Sequence, residues 1–409
     1  MANPSVSVVV VSRDRPSALM RCLDGLAQLD YPVYEIICVT CPAGAAALAG
    51  RPDVDHIKIR TFDEANISAA RNIGIAHAAG DVVAFIDDDA VPEPLWLRHL
   101  TEPFGNPEVA ASGGYVIGRN GISFQWRARV VDRSGQATDL DLPGTVPRVL
   151  HPEPDRAIKT EGTNMAVRRD LLADVGGFDP AFRFFLDETD LNQRLADQSL
   201  PTAIVPLAVV HHGFAESSRR RADRAPRDLF ELGASTAVFL RKHSPVSRHA
   251  AAIAACIAEQ KQRLLRMMQS GLLDPVDVLV LLRGLRRGLA AGATRPLDGM
   301  IPLNRAPEGL RIYPARTDRP RIYLSGRIWQ HRRKMKEAIG HRQSGAIVTV
   351  VLMSPTARFH RQYFDKNGIW VQTGGLFGKS DRGMPLSRFW AFRTRVKHEI
   401  GRLIPARGH

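Results

Sequence analysis

Short apolar runs separated by polar turns dominate the first ninety residues. The runs are rich in Val and Ile and have the length of strands that are buried on both faces; they cover residues 5–11, 34–39, 56–60 and 82–87. Between them, residues 16–26 and 66–79 repeat apolar side chains at helical spacing. This alternation of strands and helices predicts an α/β fold with a mostly parallel sheet covered by helices.

The pattern changes twice further along the chain. From residue 227 to about 292 it is helical, with breaks at Pro245 and Pro275. After a link rich in Pro and Arg, strand-like runs return at 322–324, 346–353 and 368–372. We therefore expect an α/β domain at residues 1–225, a helical segment at 226–300 and a small α/β module at 301–409. The Ala- and Gly-rich stretch at 42–50 is expected to be a loop.

The positive charge of the chain is concentrated at its C-terminal end. Residues 301–409 hold 22 Lys and Arg against 6 Asp and Glu, a balance of +16, whereas residues 1–300 balance at −2. Such a module could bind an anionic membrane, a lipid diphosphate or nucleic acid. No nucleic-acid-binding motif is present, so nucleic acid is not an expected partner.

Other features of the sequence predict a cytoplasmic protein. No signal peptide is evident, and no apolar run reaches the roughly 18–20 residues that cross a bilayer. Four cysteines in 409 residues do not suggest a disulfide framework, and Cys38 and Cys41, which form a C-x-x-C pair, fit ordinary packing better than a metal site. Peripheral association with the inner face of the membrane stays open as an alternative.

Three carboxylates follow the strand-like run at 82–87. In a parallel sheet, ligands bind at the carboxyl ends of the strands, where Asp87, Asp88 and Asp89 would lie. Mutual repulsion among such carboxylates is relieved by a divalent cation, and Mg²⁺ or Mn²⁺ prefers oxygen ligands. The competing interpretation is a solvated acidic turn.

The order of several motifs resembles glycosyltransferase family 2, whose members have the GT-A fold. The resemblance covers roughly residues 5–215, and its motifs are Val8–Pro16, Glu35–Ile37, Ala69–Gly74, Phe85–Asp89, Gly162–Arg169, Gly176–Asp179 and Asp187–Leu191. It implies a nucleotide-sugar donor and a divalent cation, Mn²⁺ or Mg²⁺, as cofactor.

The resemblance also implies roles for individual residues. The family's D-x-D motif falls on Asp87 and Asp89, which would hold the cation, with His211 as a further ligand. Asp87 would otherwise contact the donor ribose, and Asp88 ranks below its neighbours. The residues expected to bind the donor are Ser12, Asp14, Arg71, Asp87, Asp88 and Asn164. For Arg71 a surface-helix role, and for His211 a structural role, are the alternatives.

The acidic pair Asp187-Glu188 corresponds to the pair that supplies the general base in inverting members. The matching position is Glu188, although the order of the pair is reversed, so Asp187 stays open as the base. Carboxylates in the first turn of a helix are also common as simple capping residues. One departure concerns the nucleotide: Thr40-Cys41 stands where the family usually has a carboxylate that binds the donor base, so the base stays open.

These expectations combine into one function. The sequence predicts a metal-dependent, inverting glycosyltransferase that acts on a glycan or a lipid-linked acceptor in surface polysaccharide or glycolipid synthesis. Two alternatives are a nucleotidyltransferase, although the first loop lacks the glycines that this would need, and a non-catalytic module that binds sugar nucleotides or polysaccharide.

Overall fold

The computed structural model describes residues 3–213, 216–314 and 317–409. In chain order, the elements of the first part are β1 (Val6–Ser12), α1 (Pro16–Leu26), β2 (Tyr34–Thr40), α2 (Pro42–Leu48), β3 (Ile57–Thr61), α3 (Ile67–Ala76), β4 (Val82–Asp87), β5 (Ala90–Pro92), α4 (Trp96–Thr101), β6 (Ala111–Ile117), β7 (Phe124–Trp126), β8 (Arg129–Asp132), β9 (Ala137–Asp139), β10 (Arg148–Leu150), β11 (Arg156–Lys159), β12 (Met165–Arg168), α5 (Arg169–Asp174), α6 (Asp187–Asp197) and β13 (Thr202–His212).

The remaining elements form the helical segment and the C-terminal module. They are α7 (Phe230–His243), α8 (Val246–Gln269), α9 (Pro275–Thr294), β14 (Arg321–Arg327), α10 (His331–Gln343), β15 (Ile347–Ser354), β16 (Arg361–Phe364), β17 (Trp370–Gly375) and α11 (Phe392–Arg407).

The main sheet has the order β10-β13-β6-β12-β4-β1-β2-β3, and β5 and β7 pair with β13 and β6. Strands β3, β2, β1 and β4 run parallel, whereas β12 is antiparallel to both β4 and β6. Alternate side chains of β1 enter two cores: Val8 and Val10 pack with α1 and α4, and Val9 packs with α3, α5 and α6. The predicted mixed α/β architecture is confirmed.

The sequence pattern missed several smaller elements. Residues 42–48 form helix α2, with Pro42 in the first turn where its missing N–H costs nothing, so the loop expected there is wrong. A separate three-stranded sheet, β11-β8-β9, lies beside the main sheet. Its strands have only three or four residues each, which is too short for a period to show.

The three helices α7, α8 and α9 follow the first part, as expected. Asp190 on α6 connects these helices to the first part of the chain. Its buried carboxylate lies 2.8 Å from His243 Nε2 and 2.6 Å from Lys242 Nζ, and both residues belong to α7. The carboxylate also accepts from Arg194 within α6 at 2.9 Å. These contacts fix the end of α7 against the helix that begins with Asp187 and Glu188.

The C-terminal module is a four-stranded sheet of order β14-β15-β17-β16. Helix α10 packs on one side of it and α11 on the other. The link before the module lies on the first part of the chain, where Tyr313 stacks on Tyr34 with ring centroids 5.4 Å apart. The division of the chain at residues 225 and 300 stays a prediction.

Candidate active site

The acidic end of β4 meets the end of β13. The short strand β5 turns back from Asp89 and pairs with β13, which places Ala90 opposite His212. His212 Nε2 lies 3.1 Å from an Asp89 carboxylate oxygen and 4.0 Å from one of Asp87. Ligand atoms of Asp87, Asp89 and His212 all lie within 4.8 Å of one another, which suits one cation. Burial alone would lower the pKa of His212, but Asp89 and Asp87 raise it.

The histidine of this group is His212 and not His211, the residue that the sequence analysis named as a ligand. The side chain of His211 faces the other side of β13, where Nε2 lies 2.7 Å from Glu93. Its ring packs against Trp370 of the C-terminal module with centroids 4.9 Å apart. Because side chains alternate along a strand, only one of two adjacent histidines can lie beside Asp89.

Asp88 and Ser12 lie beneath the site. Both are almost completely buried, and Ser12 Oγ donates a hydrogen bond to Asp88 at 2.7 Å. Asp88 also forms an ion pair with Arg15. Burial, together with repulsion from Asp89 and Asp87, raises the pKa of Asp88 to about 7 against the opposing effect of Arg15. Asp88 thus contacts both Ser12 and Arg15 in a buried setting, and the role of Ser12 and Asp88 in donor binding stays a prediction.

Arg71 connects the Asp87-Asp89-His212 group to the acidic pair Asp187-Glu188. Its buried guanidinium donates to the partly exposed carboxylate of Asp87 at 3.3 Å and forms an ion pair with the buried Asp187. It also donates to the carbonyl oxygen of Gly162 at 3.1 Å. A Cβ at Gly162 would lie 2.6 Å from an Arg71 nitrogen, so a side chain here would force the guanidinium to move. Arg71 is not the surface-helix arginine of the alternative interpretation.

Glu188 has a different partner. Lys159 Nζ, at the end of β11, donates to Glu188 at 2.7 Å. Burial alone would raise the pKa of Glu188, but Lys159 and Arg71 outweigh it and lower the value to about 2. For Asp187, burial and the neighbouring Glu188 raise the pKa to about 7 although Arg71 opposes them. Of the two neighbouring carboxyls, Glu188 is therefore the one whose ionised form is more strongly stabilised, because Lys159 lies beside it.

Asn164 is a core residue. Its amide nitrogen donates to the carbonyls of Tyr115 and Ala208 at 2.9 and 2.8 Å, and its oxygen accepts from Trp96 at 2.8 Å. The side chain is fully buried where β6, β12 and β13 meet. All of these partners are protein groups, and the role of Asn164 in donor binding stays a prediction.

Asp14 is exposed in the loop after β1 and lies at the expected side of the sheet. Its carboxylate, the Cys41 sulfur and the Asp63 carboxylate lie within 4.8 Å of one another at the ends of neighbouring strands. Two of the three are exposed acids, and Asp63 is already paired with Arg13 at 3.1 Å. This small cluster occupies the place where the family carboxylate of β2 is missing.

Four residues of the site were not predicted: His212, Arg15, Lys159 and Arg220. Guanidinium nitrogens of Arg15 and Arg220 lie 3.4 and 3.7 Å from a carboxylate oxygen of Asp89, so two positive charges lie beside this acid. Arg220 belongs to a run of three arginines, Arg219–Arg221, between β13 and α7. For Lys159 no signal existed, because its position depends on the short strand β11.

The site thus combines three features: the Asp87-Asp89-His212 group, the buried side chain of Arg71 and the carboxylate of Glu188 beside Lys159. The profile of the family described as "Glycosyltransferase like family 2" matches residues 4–230, more than half of the chain. The chain belongs to this family of glycosyltransferases.

Named relatives share only parts of their length with the chain. O-antigen biosynthesis protein RfbC of Myxococcus xanthus is 31% identical over 235 residues, which cover 54% of this chain and 18% of that protein. A glucosyl-dolichyl phosphate glucuronosyltransferase of Haloferax volcanii is 33% identical over 129 residues, which cover 31% of this chain and 39% of that protein. The chain therefore spans less than half the length of these relatives.

Solved structures show a more distant likeness. A mannosyltransferase from Pyrobaculum calidifontis, in complex with GDP-Man and Mn²⁺, is 16% identical with a TM-score of 0.43, covering 71% of this chain and 88% of that one. A likeness at this level carries no argument about the reaction. Within the described residues, no helix is long and apolar enough to cross a membrane.

Proposed function

We propose that this protein is a metal-dependent glycosyltransferase that moves a sugar from a nucleotide donor to an acceptor hydroxyl with inversion. The observation that carries the proposal is the link made by Arg71. It contacts Asp87 of the Asp87-Asp89-His212 group at one end and Asp187, the neighbour of Glu188, at the other. A cation site and a candidate base are therefore held by one buried side chain.

Asp87, Asp89 and His212 are proposed to hold Mn²⁺ or Mg²⁺. Two carboxylates and an imidazole are a fitting ligand set for such a cation. The cation would neutralise the diphosphate of the departing nucleotide. Arg15 and Arg220 lie beside Asp89. When a cation binds the Asp89 carboxylate, these two guanidinium groups would donate hydrogen bonds to the phosphate oxygens of the donor.

Glu188 is proposed as the general base. Its carboxylate would accept the proton of the acceptor hydroxyl as the new C–O bond forms and the bond from the sugar to the diphosphate breaks. Lys159 stabilises the ionised form of Glu188, whereas Asp187 is paired with Arg71 and its pKa is raised by burial and by Glu188. The roles of the two neighbouring acids therefore follow from their different partners.

Asp14, Arg71 and Asp87 remain the proposed donor contacts. Asp14 projects from the loop after β1, beside Cys41 and Asp63, at the place where a donor base would lie. Arg71 and Asp87 would contact the diphosphate and ribose region. The acceptor is proposed to be a glycan or a lipid-linked sugar, a class supported by the names of the two relatives.

The test is a screen of UDP-, GDP- and dTDP-sugars with Mn²⁺, with Mg²⁺ and with excess EDTA, followed by donor hydrolysis and thermal shift. We expect at least one donor to be hydrolysed in a cation-dependent way. Asp89→Asn should abolish this hydrolysis and the cation-dependent thermal shift, whereas Asp55→Asn, at an exposed acid, should change neither.

Full turnover in EDTA, or an active Asp89→Asn variant, would contradict the metal role. Cation-dependent binding of a donor without turnover on any acceptor would favour the binding module. Release of diphosphate from a nucleoside triphosphate and a sugar phosphate would instead favour a nucleotidyltransferase.

A further inference from the structure

The C-terminal module exposes large apolar side chains at one edge of its sheet. Strands β14, β15 and β17 are parallel, so the loops that follow them lie at the same edge. We call the surface formed by residues 327–333, 355–361 and 376–391 the loop edge. Its exposed apolar side chains are Ile328, Trp329, Phe359, Leu386 and Phe389.

The exposure of these side chains is large. Trp329 is 68% exposed, Phe359 64%, Leu386 74% and Phe389 92%. Scattered apolar residues on a surface need no explanation, but a group of large ones on one edge usually marks an interaction surface. Each of the three loops contributes at least one of them, so the clustering follows from the topology of the sheet.

Hydrogen bonds join the second and third loops of the loop edge. The backbone N–H of Phe377 donates to the carbonyl of Thr356 at 3.1 Å, and that of His360 donates to Lys379 at 2.8 Å. Gly378 makes a very close approach, because a Cβ there would lie 1.9 Å from the Arg358 carbonyl oxygen. The second and third loops therefore present their aromatic side chains from a common, hydrogen-bonded base.

The same three loops are rich in basic side chains. The three loops contain eight Lys and Arg residues and a single acid, Asp381, which is paired with Arg402 at 3.2 Å. The exposed arginines include Arg332, Arg358, Arg382 and Arg388. A surface that combines aromatic rings with a strong excess of arginine matches an anionic lipid headgroup region, where rings enter the interface and guanidinium groups meet phosphates.

We propose that the loop edge is the site through which this protein binds an anionic lipid surface. This assignment goes beyond the glycosyl transfer proposed above and does not depend on it. Trp329, Phe359 and Phe389 would enter the boundary between headgroups and acyl chains, and the arginines of the same loops would bind the phosphates of anionic lipids.

The first experiment is sedimentation of the full chain with vesicles of phosphatidylcholine alone and with added phosphatidylglycerol. We expect binding to the anionic vesicles at 0.05 M salt and much weaker binding at 0.5 M, because salt screens the arginines. The variant Trp329→Ser/Phe359→Ser/Phe389→Ser should bind at least tenfold more weakly. Its melting temperature should be retained, since all three side chains are exposed.

A matched control is available on helix α9. Val276, Leu279 and Val280 are also exposed and lie near arginines on the same helix. Changing these three to Ser should leave vesicle binding unchanged. If this control variant loses binding and the loop-edge variant retains it, the membrane-binding surface is on α9 and the proposal is wrong.

Fluorescence gives an independent readout. Trp96 and Trp370 are buried, whereas Trp329 is the most exposed tryptophan of the described residues. Brominated anionic lipids should quench the emission of the full chain, and Trp329→Phe should remove most of this quenching.

Three results would overturn the proposal: no binding to anionic vesicles at low salt, binding that the loop-edge substitutions do not weaken, or a dimer in solution that these substitutions convert to a monomer. The last result would identify the edge as an interface between two copies of the chain.

Discussion

Replacing Arg407 by Met is expected to destabilise the contact between the C-terminal module and the first part of the chain. Arg407 is the last residue of α11, and its guanidinium donates to the two carboxylate oxygens of Glu93 at 2.7 and 2.8 Å. Both side chains are buried, and the guanidinium lies 4.3 Å from the ring centroid of Trp370. Met keeps an apolar stem but leaves the buried carboxylate without its cation.

The expected cost is about 3–5 kcal/mol, the usual range when one member of a buried ion pair is removed. The pKa of Glu93 agrees in direction: burial alone would raise it, but Arg407 and His211 lower it from 4.5 to about 2. At about 2–4 °C per kcal/mol for a domain of 150–250 residues, the expected cost would lower the melting temperature by roughly 6–20 °C.

The pH dependence distinguishes this mechanism from a simple loss of packing. In the parent protein the lowered pKa of Glu93 adds stability that is fully present above pH 4.5 and is lost as the pH falls towards 2. In the variant, the buried carboxylate without Arg407 should favour its protonated form. The difference in melting temperature should therefore be large at pH 8 and smaller at pH 5.5.

Calorimetry of the parent and the variant at both pH values measures this difference. Arg393→Met, at an exposed position of the same helix, is the matched control and should have little effect. The double variant Glu93→Gln/Arg407→Met should recover most of the loss, because the unpaired charge is gone. Equal losses at both pH values, or a double variant no better than Arg407→Met, would refute the reasoning.

Three further predictions concern the candidate active site, each measured by steady-state kinetics once a donor is known. Glu188→Gln should lower kcat by roughly 10²–10⁴-fold with little change in donor affinity; an inactive Asp187→Asn beside an active Glu188→Gln would move the base to Asp187. Lys159→Met should raise the pKa of Glu188 and so move the acidic limb of the pH–kcat profile to higher pH, whereas an unchanged profile would show that Lys159 does not tune the base. Gly162→Ala should displace Arg71 and lower activity at least tenfold, while Gly50→Ala, where a Cβ meets nothing within 4 Å, should be neutral; equal activity of both variants would contradict the bridge.

The sequence by itself determined the order of the main elements and the residues at the end of β4. The β-branched runs predicted β1 to β4 to within two residues at each end, because strands buried on both faces need continuous apolar stretches. Pro245 and Pro275 divided the helical segment where the structure divides it, because proline cannot continue a helix from the preceding turn. Asp87 and Asp89 followed from the position of charges after such a strand.

Only the tertiary structure decided which side chains meet across the chain. Glu188 and Lys159 are 29 residues apart, and Glu93 and Arg407 are 314 apart, so no local pattern connects either pair. Asn164 belongs to one of the family motifs. Its side chain donates to backbone carbonyl groups that lie near it only because β6, β12 and β13 pack together.

The two histidines show the physical reason most clearly. Along a strand the side chains alternate between faces, so a single residue of register decides whether His211 or His212 lies beside Asp89. The pairing of β13 with β6 shifts between Val205 and Val209, and this irregularity changes the register before the histidines are reached. Such a shift depends on contacts with β6, a strand about ninety residues earlier in the chain. For that reason the sequence located the pair of histidines but could not show which of the two lies beside Asp89.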